Sequence, residues 1–191
     1  MARLTIRLLG PFHVTLDGDP LTNFESNKVR ALLACLAMEP DRPHSREVLA
    51  GLLWPDCPEE TARHNLRQAI GDREATPPFL CITRRTVQFN PESDYWLDAS
   101  RFDALVAASE SHAHRRLETC QPCIRQLGQA IEIYRGEFLT GLYVGDSISF
   151  EEWALLQRER FHRLALDNLY HLANHYERRR DYDRARRAIA S

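Results

Sequence analysis

Between Asn27 and Phe89 the apolar spacing is helical three times in succession and then switches to alternation, an order that few small folds accommodate. Val29, Leu32, Leu33 and Leu36 recur at i, i+3, i+4 and i+7, and Ser26 or Asn27 can cap the helix they define. Pro40 and Pro43 end it. Ser45 is placed to cap a second helix, with Val48, Leu49, Leu52 and Leu53 expected to face inward, and Pro55 stops it after Trp54. Asp56-x-x-Glu59 resembles a capping box and opens a third helix over about Glu59–Ile70, with Pro58 early in its first turn. Gly71 ends that helix and Pro77-Pro78 bar its continuation. Phe79–Thr83 and Thr86–Asn90 alternate across Arg84-Arg85, which predicts a β-hairpin with paired arginines at its tip.

Three helices followed by a hairpin describe an α+β winged-helix domain, with the hairpin as wing. The third helix buries only a thin stripe, Ala62, Leu66, Ala69 and Ile70. It turns His64, Arg67 and Gln68 outward, with Arg63 and Asn65 on the flanks. Arginine pairs with guanine O6/N7 and glutamine with adenine N6/N7, so this is a side-chain set with which a major groove can be read. Arg84 and Arg85 suit phosphate or the minor groove, and Lys28, Arg30 and Arg46, near the starts of the first two helices, suit backbone phosphates. For each of these residues taken singly, a solvated surface position explains it as well.

Before this stretch, residues 3–16 alternate as a strand pair and reach the turn signal Asp17-Gly18-Asp19-Pro20. After it the pattern becomes helical throughout. Phe102, Leu105 and Val106 start one helix, His112–Cys120 is a polar interruption, and Ile124, Leu127, Ala130, Ile131 and Tyr134 give the next. From Phe150 to Tyr176 the spacing stays helical, and a further helix begins at Tyr182. Two domains are expected, a winged helix over 1–94 and an all-α unit over 95–191. Ser191 cuts the last helix short, so the chain is expected to be a fragment truncated at its C-terminal end.

Charge gives mixed guidance. The whole chain carries −2, which lends no support to nucleic-acid binding. Between Thr61 and Asn90, however, arginines 63, 67, 73, 84 and 85 face only Asp72 and Glu74, a local excess of +3. Of the 25 basic residues only Lys28 is a lysine, a bias that suits DNA but that a coding preference also explains. The start MARLTIRLLGPF lacks the apolar core of a signal peptide and no apolar run spans a bilayer, so a cytoplasmic protein without a membrane partner is expected.

Of the five cysteines, Cys35 and Cys81 lie in apolar segments and are expected to be buried free thiols. Only Cys120 and Cys123 are spaced for chemistry. With His112 and His114 they supply two thiolates and two imidazoles within twelve residues, a candidate tetrahedral set for a structural Zn²⁺. Pro122 inside the pair and Arg115 and Arg116 beside it argue against the metal. The alternatives are a reduced, metal-free loop and a redox pair, the latter weakened because no strand precedes it. No phosphate loop, G-x-S-x-G or H-E-x-x-H occurs, so catalysis finds no support and a non-enzyme is expected.

The runs KVRALLACLAMEPDRPHSREVLAGLLWPD, ARHNLRQA and PPFLCITRRTVQFNPESDYWLDASRFDAL follow one another as in the antibiotic-regulatory-protein (SARP) family of bacterial transcriptional activators, which the chain resembles. YRGEFLTGLYVGDSISFEEWALLQRERF and LANHYERRRDYDRARRA are similar to that family's bacterial transcriptional activation domain and to a tetratricopeptide unit within it. The resemblance covers nearly the whole chain. It implies a response-regulator-type winged helix joined to an all-helical, tetratricopeptide-like activation domain. It also implies binding to repeated sites on double-stranded promoter DNA, with the helical half contacting RNA polymerase or another protomer. In the family the third helix continues about two turns further, whereas here Gln68-Ala69-Ile70 runs into Gly71; a helix of roughly 12 residues is only about 18 Å long. That departure leaves a rival expectation, a protein-interaction scaffold whose winged helix no longer binds DNA.

Overall fold

A computed structural model of the protein describes residues 3–71, 79–113 and 116–190. Strand β1 (Leu4–Arg7) pairs antiparallel with β2 (His13–Leu16), Leu4 opposite Leu16. Their alternation buries Leu4, Ile6 and Val14 on one face. β2 returns into β3 (Asp19–Pro20) across Asp17 and Gly18, whose φ values of 52° and 96° give the two-residue loop the left-handed backbone that a twisted hairpin needs. Pro20, which cannot donate to a ladder, sits on β3, the edge strand of this sheet.

Helix α1 (Asn27–Met38) is capped by Ser26, whose side chain accepts from the Val29 amide. It is buried on more sides than an amphipathic stripe requires, because Ala31, Ala34 and Ala37 let neighbours approach the faces between its leucines. Ser45 caps α2 (Arg46–Leu53) as expected. Leu49 and Leu53 point inward and Leu52 is half-buried, but the expectation for Val48 is overturned: it is 64% exposed, because the inward face is defined by Leu49, Ala50 and Leu53 instead. Helix α3 (Glu59–Gly71) buries the stripe read from the sequence, with Leu66 fully enclosed. Gly71 is its last described residue, and Asp72, Arg73, Glu74 and Pro77-Pro78 lie outside the described residues.

The hairpin is β5 (Leu80–Ile82) with β6 (Thr86–Phe89), Leu80 opposite Phe89. A short strand β4 (His44–Ser45) joins β6 and gives the order β4-β6-β5. Cys81 is exposed rather than buried; it lies opposite Gln88 on β5, an edge strand of this sheet. Cys35 is buried as expected.

The second half begins with β7 (Tyr95–Leu97), which runs parallel to β1 and completes the first sheet, so the expected boundary at 94/95 falls immediately before a strand of that sheet. Then follow α4 (Asp98–Ser111), a 3-10 turn (Leu117–Thr119), α5 (Gln121–Ile133), α6 (Ile148–Arg178) and α7 (Tyr182–Ala190). The Asp98 carboxylate, buried at the start of α4, accepts from the amides of Leu8, Leu9 and Ala99 at 2.7–3.0 Å. Burial raises its pKa, while these amides and Arg135 oppose the shift.

One core runs through both halves, from Leu4 through α1–α3 to Phe102, Phe138, Phe150 and Phe161. Phe138 and Phe161 stack at 5.7 Å, and each such ring is worth several kcal/mol of burial, of order 3–5 if cut to alanine. Polar contacts add to the junction: the Ser147 hydroxyl donates to the Leu52 carbonyl, Lys28 pairs with Asp146, and the Asn27 amide donates to the Tyr143 carbonyl at 3.0 Å. A smaller second cluster of Ile124, Leu127 and Leu172 holds the far end of α5 and α6. No helix among the described residues is long and apolar enough to cross a membrane.

Candidate nucleic-acid interface

Arg84 and Arg85 are presented by a loop whose order comes from Thr83. The Thr83 amide donates to the Thr86 carbonyl at 2.9 Å, closing a two-residue turn. Its hydroxyl accepts from the Thr86 amide at 2.9 Å and the Arg85 amide at 3.2 Å, replacing the carbonyl that a regular turn would use. Neither arginine takes a positive φ. The wing is also fastened to α2: the Arg46 amide donates to the Arg85 carbonyl at 3.0 Å, beside the pairing of His44 with Val87.

This fastening creates a groove of about 830 Å³ between the start of α2, the outer face of α3 and the wing tip. Arg46, Arg63, Arg67, Arg84 and Arg85 line it with Ser45, Glu47, Glu60 and Leu66. Five positive side chains against two carboxylates leave the lining at +3. The Arg46 Nε–H is buried without a hydrogen-bond partner among the described residues, and such a donor costs about 1–3 kcal/mol until something satisfies it. Arg63 is clamped by Glu59 and by Glu47, the latter at 2.9 Å. Those carboxylates are 72–75% exposed, so the pairs are worth ~1 kcal/mol or less and a phosphate can displace them. Arg67, Arg84 and Arg85 make no ion pair among the described residues.

His64 and Gln68 are exposed on α3 beside Arg67, and Asn65 is half-buried; these three lie outside the groove lining. Lys28 is drawn elsewhere. Its ammonium pairs with Asp146 and lies 5.5 Å from the Trp54 ring centre, so it joins the two halves of the chain and does not face the groove. Arg30, similarly, stacks on Phe24 at 5.7 Å. Sequence reasoning did not single out Thr83, Glu47 or Glu60. The T-R-R-T pattern around the hairpin tip was the available signal for the first, and the acidic first turns of α2 and α3 for the others.

In the helical half His112, Cys120 and Cys123 come together, their ligand atoms all within 4.8 Å of one another. His114, the fourth member of the expected set, lies outside the described residues, as does Arg115. Burial and the Cys120 thiol beside it push the Cys123 thiol up to about 11.

Comparison with known proteins bears on both halves. Residues 97–191 match the family model of the bacterial transcriptional activator domain. The chain is 30% identical over 148 residues to the transcriptional regulatory protein EmbR of Mycobacterium bovis and equally to EmbR of Mycobacterium tuberculosis. The match takes in 73% of this chain but spans only 37% of the relatives' length. A solved structure of M. tuberculosis EmbR in complex with a low-affinity phosphopeptide superposes on 98% of this chain and 59% of that one, with a TM-score of 0.65 at 22% identity. That likeness shows the same arrangement, an α+β winged helix followed by a helical part.

Proposed function

Because the chain belongs to the SARP family of bacterial transcriptional regulators, we propose that it binds promoter DNA through the arginine-lined groove and relays that engagement through its helical half. The observation that carries the reading is the convergence of Arg46, Arg67, Arg84 and Arg85 on one groove from three separate elements. A 13-residue helix is about 20 Å long, and a B-DNA major groove roughly 12 Å wide admits it side-on. In this reading α3 enters that groove, Arg67 and Gln68 meet base edges, and His64 and Asn65 stand beside them. Arg46, Arg84 and Arg85 hold the flanking phosphates and set orientation, while α3 selects sequence. Arg63 exchanges its glutamates for a phosphate on docking.

Residues 1–94 form the DNA-binding unit of this proposal and 95–191 the activating one. The latter contacts RNA polymerase or a second copy of the chain on repeated sites. Regulation is by recruitment without catalysis, in the cytoplasm.

Binding of the purified chain to a mixed pool of duplexes, followed at several salt concentrations, tests the proposal. Affinity that falls steeply with salt is expected, because each phosphate contact releases counterions. Absent or salt-indifferent binding overturns it in favour of a protein-interaction scaffold.

A further inference from the structure

We propose that His112, Cys120 and Cys123 bind a Zn²⁺ ion that staples the end of α4 to the start of α5. The His112 Nδ1 lies 3.4 Å from each sulfur. In a tetrahedral zinc site, with Zn–S of about 2.3 Å and Zn–N of about 2.05 Å, the N···S separation is about 3.6 Å. Both N···S separations therefore stand within a few tenths of an ångström of metal-binding geometry, and all three ligand atoms lie within 4.8 Å of one another.

Local structure explains how the chain achieves this. Cys120 is the N-cap residue of α5 and Cys123 lies within its first turn, so one helical turn brings both sulfurs to the same side. The positive end of the helix dipole favours the thiolates there. Pro122, which by spacing alone argues against a metal, occupies the first turn of α5, where its missing N–H deprives the helix of nothing. His112 is the C-cap residue of α4 and closes the site from the opposite helix.

The Cys123 thiol lies 3.7 Å from the Ser109 carbonyl. On binding, each thiol releases its proton to solvent as its sulfur–zinc bond forms, so two thiolates balance the charge of the ion and no oxidant is consumed. Solvent takes the fourth position. The soft sulfur pair with an imidazole selects Zn²⁺ over Mg²⁺ or Ca²⁺, which prefer oxygen. A staple is useful here because, among the described residues, the cluster at this end of the bundle is small: Ile124, Leu127 and Leu172 with Leu117, Ile131 and Tyr176 against them.

The test uses the full chain purified without chelator. Elemental analysis is expected to find one equivalent of zinc. Replacement by Co²⁺ should give thiolate-to-cobalt charge transfer and the visible bands of a tetrahedral ion. Cys120→Ser and His112→Asn, both at positions that are not fully buried, should each lose the metal while keeping the helical circular dichroism; Cys81→Ser should retain it. A wild-type chain that takes up neither ion overturns the proposal. So does a cobalt spectrum unchanged in the Cys120→Ser/His112→Asn double variant, or a Cys120–Cys123 disulfide in freshly isolated protein.

Discussion

Arg85→Ala is the most discriminating perturbation of the proposed interface. The side chain is exposed at the wing tip, and the contact that anchors the wing uses the Arg85 carbonyl, which alanine keeps. The fold should therefore be indifferent to the change. If Arg46, Arg63, Arg84 and Arg85 each neutralise a phosphate, the slope of log K against log salt is about −3.6, and raising salt from about 50 to 200 mM weakens binding roughly 150-fold. Removing one contact brings the slope to about −2.7 and the loss over the same range to roughly 40-fold. Fluorescence anisotropy with a selected duplex and a scrambled one, over a series of salt concentrations, measures both. Arg85→Ala should flatten the slope equally for the two duplexes. An unchanged slope, or a loss confined to the selected sequence, refutes the assignment of Arg85 to the backbone.

Arg67→Ala should act in the opposite manner, relaxing preference at a single base pair by about 1–3 kcal/mol in a selection profile; a uniform loss across sequences removes Arg67 from base readout. Ser147→Ala deletes the α6 cap at the Phe150 amide and strands the Leu52 carbonyl, so urea unfolding should show a loss of about 2–3 kcal/mol. A loss under about 0.5 kcal/mol would mean that this tie contributes little. Hydrogen bonding from Lys28 holds the Asp146 carboxyl below its ordinary range. The stabilisation from this pair is thus full above the unfolded pKa of about 3.9 and is lost as pH falls through the lower folded value. Lys28→Met should return the Asp146 titration, followed by carboxyl NMR, toward about 3.9; a titration that stays low assigns the shift to another group.

Much of the fold was legible because its signals are local. Ser26 and Ser45 as caps, the buried stripe of α3 and the alternation across Arg84-Arg85 each depend on neighbours within a few residues. What escaped depends on distant partners. Val48 fits a helical face, and only the packing of Leu49, Ala50 and Leu53 decides that it stays outside. Cys81 sits in an apolar run, yet its exposure follows from β5 lying at a sheet edge. Lys28 has the composition of a phosphate ligand, but an aspartate 118 residues away claims it. At the interface, the outward residues of α3 could be read from periodicity, whereas the meeting of Arg46 with the wing required the strand pairing of β4 with β6. The cysteine pair was visible by spacing; the position of the His112 ring against both sulfurs was not.

The parallel pairing of β1 with β7 sets a timetable for biosynthesis. The amides of Leu8 and Leu9 are satisfied by a carboxylate about 90 residues downstream, and β1 has one bare edge until Tyr95–Leu97 arrives. At roughly 5–20 residues per second the ribosome takes on the order of 5–20 s to deliver that stretch. Throughout this interval the nascent strand offers unpaired N–H and C=O groups to any neighbouring chain. A shortened gene product ending at residue 94 would carry that bare edge permanently, so excising the first half by itself invites aggregation, whereas extending it to residue 99 supplies both the missing strand and the Asp98 clasp.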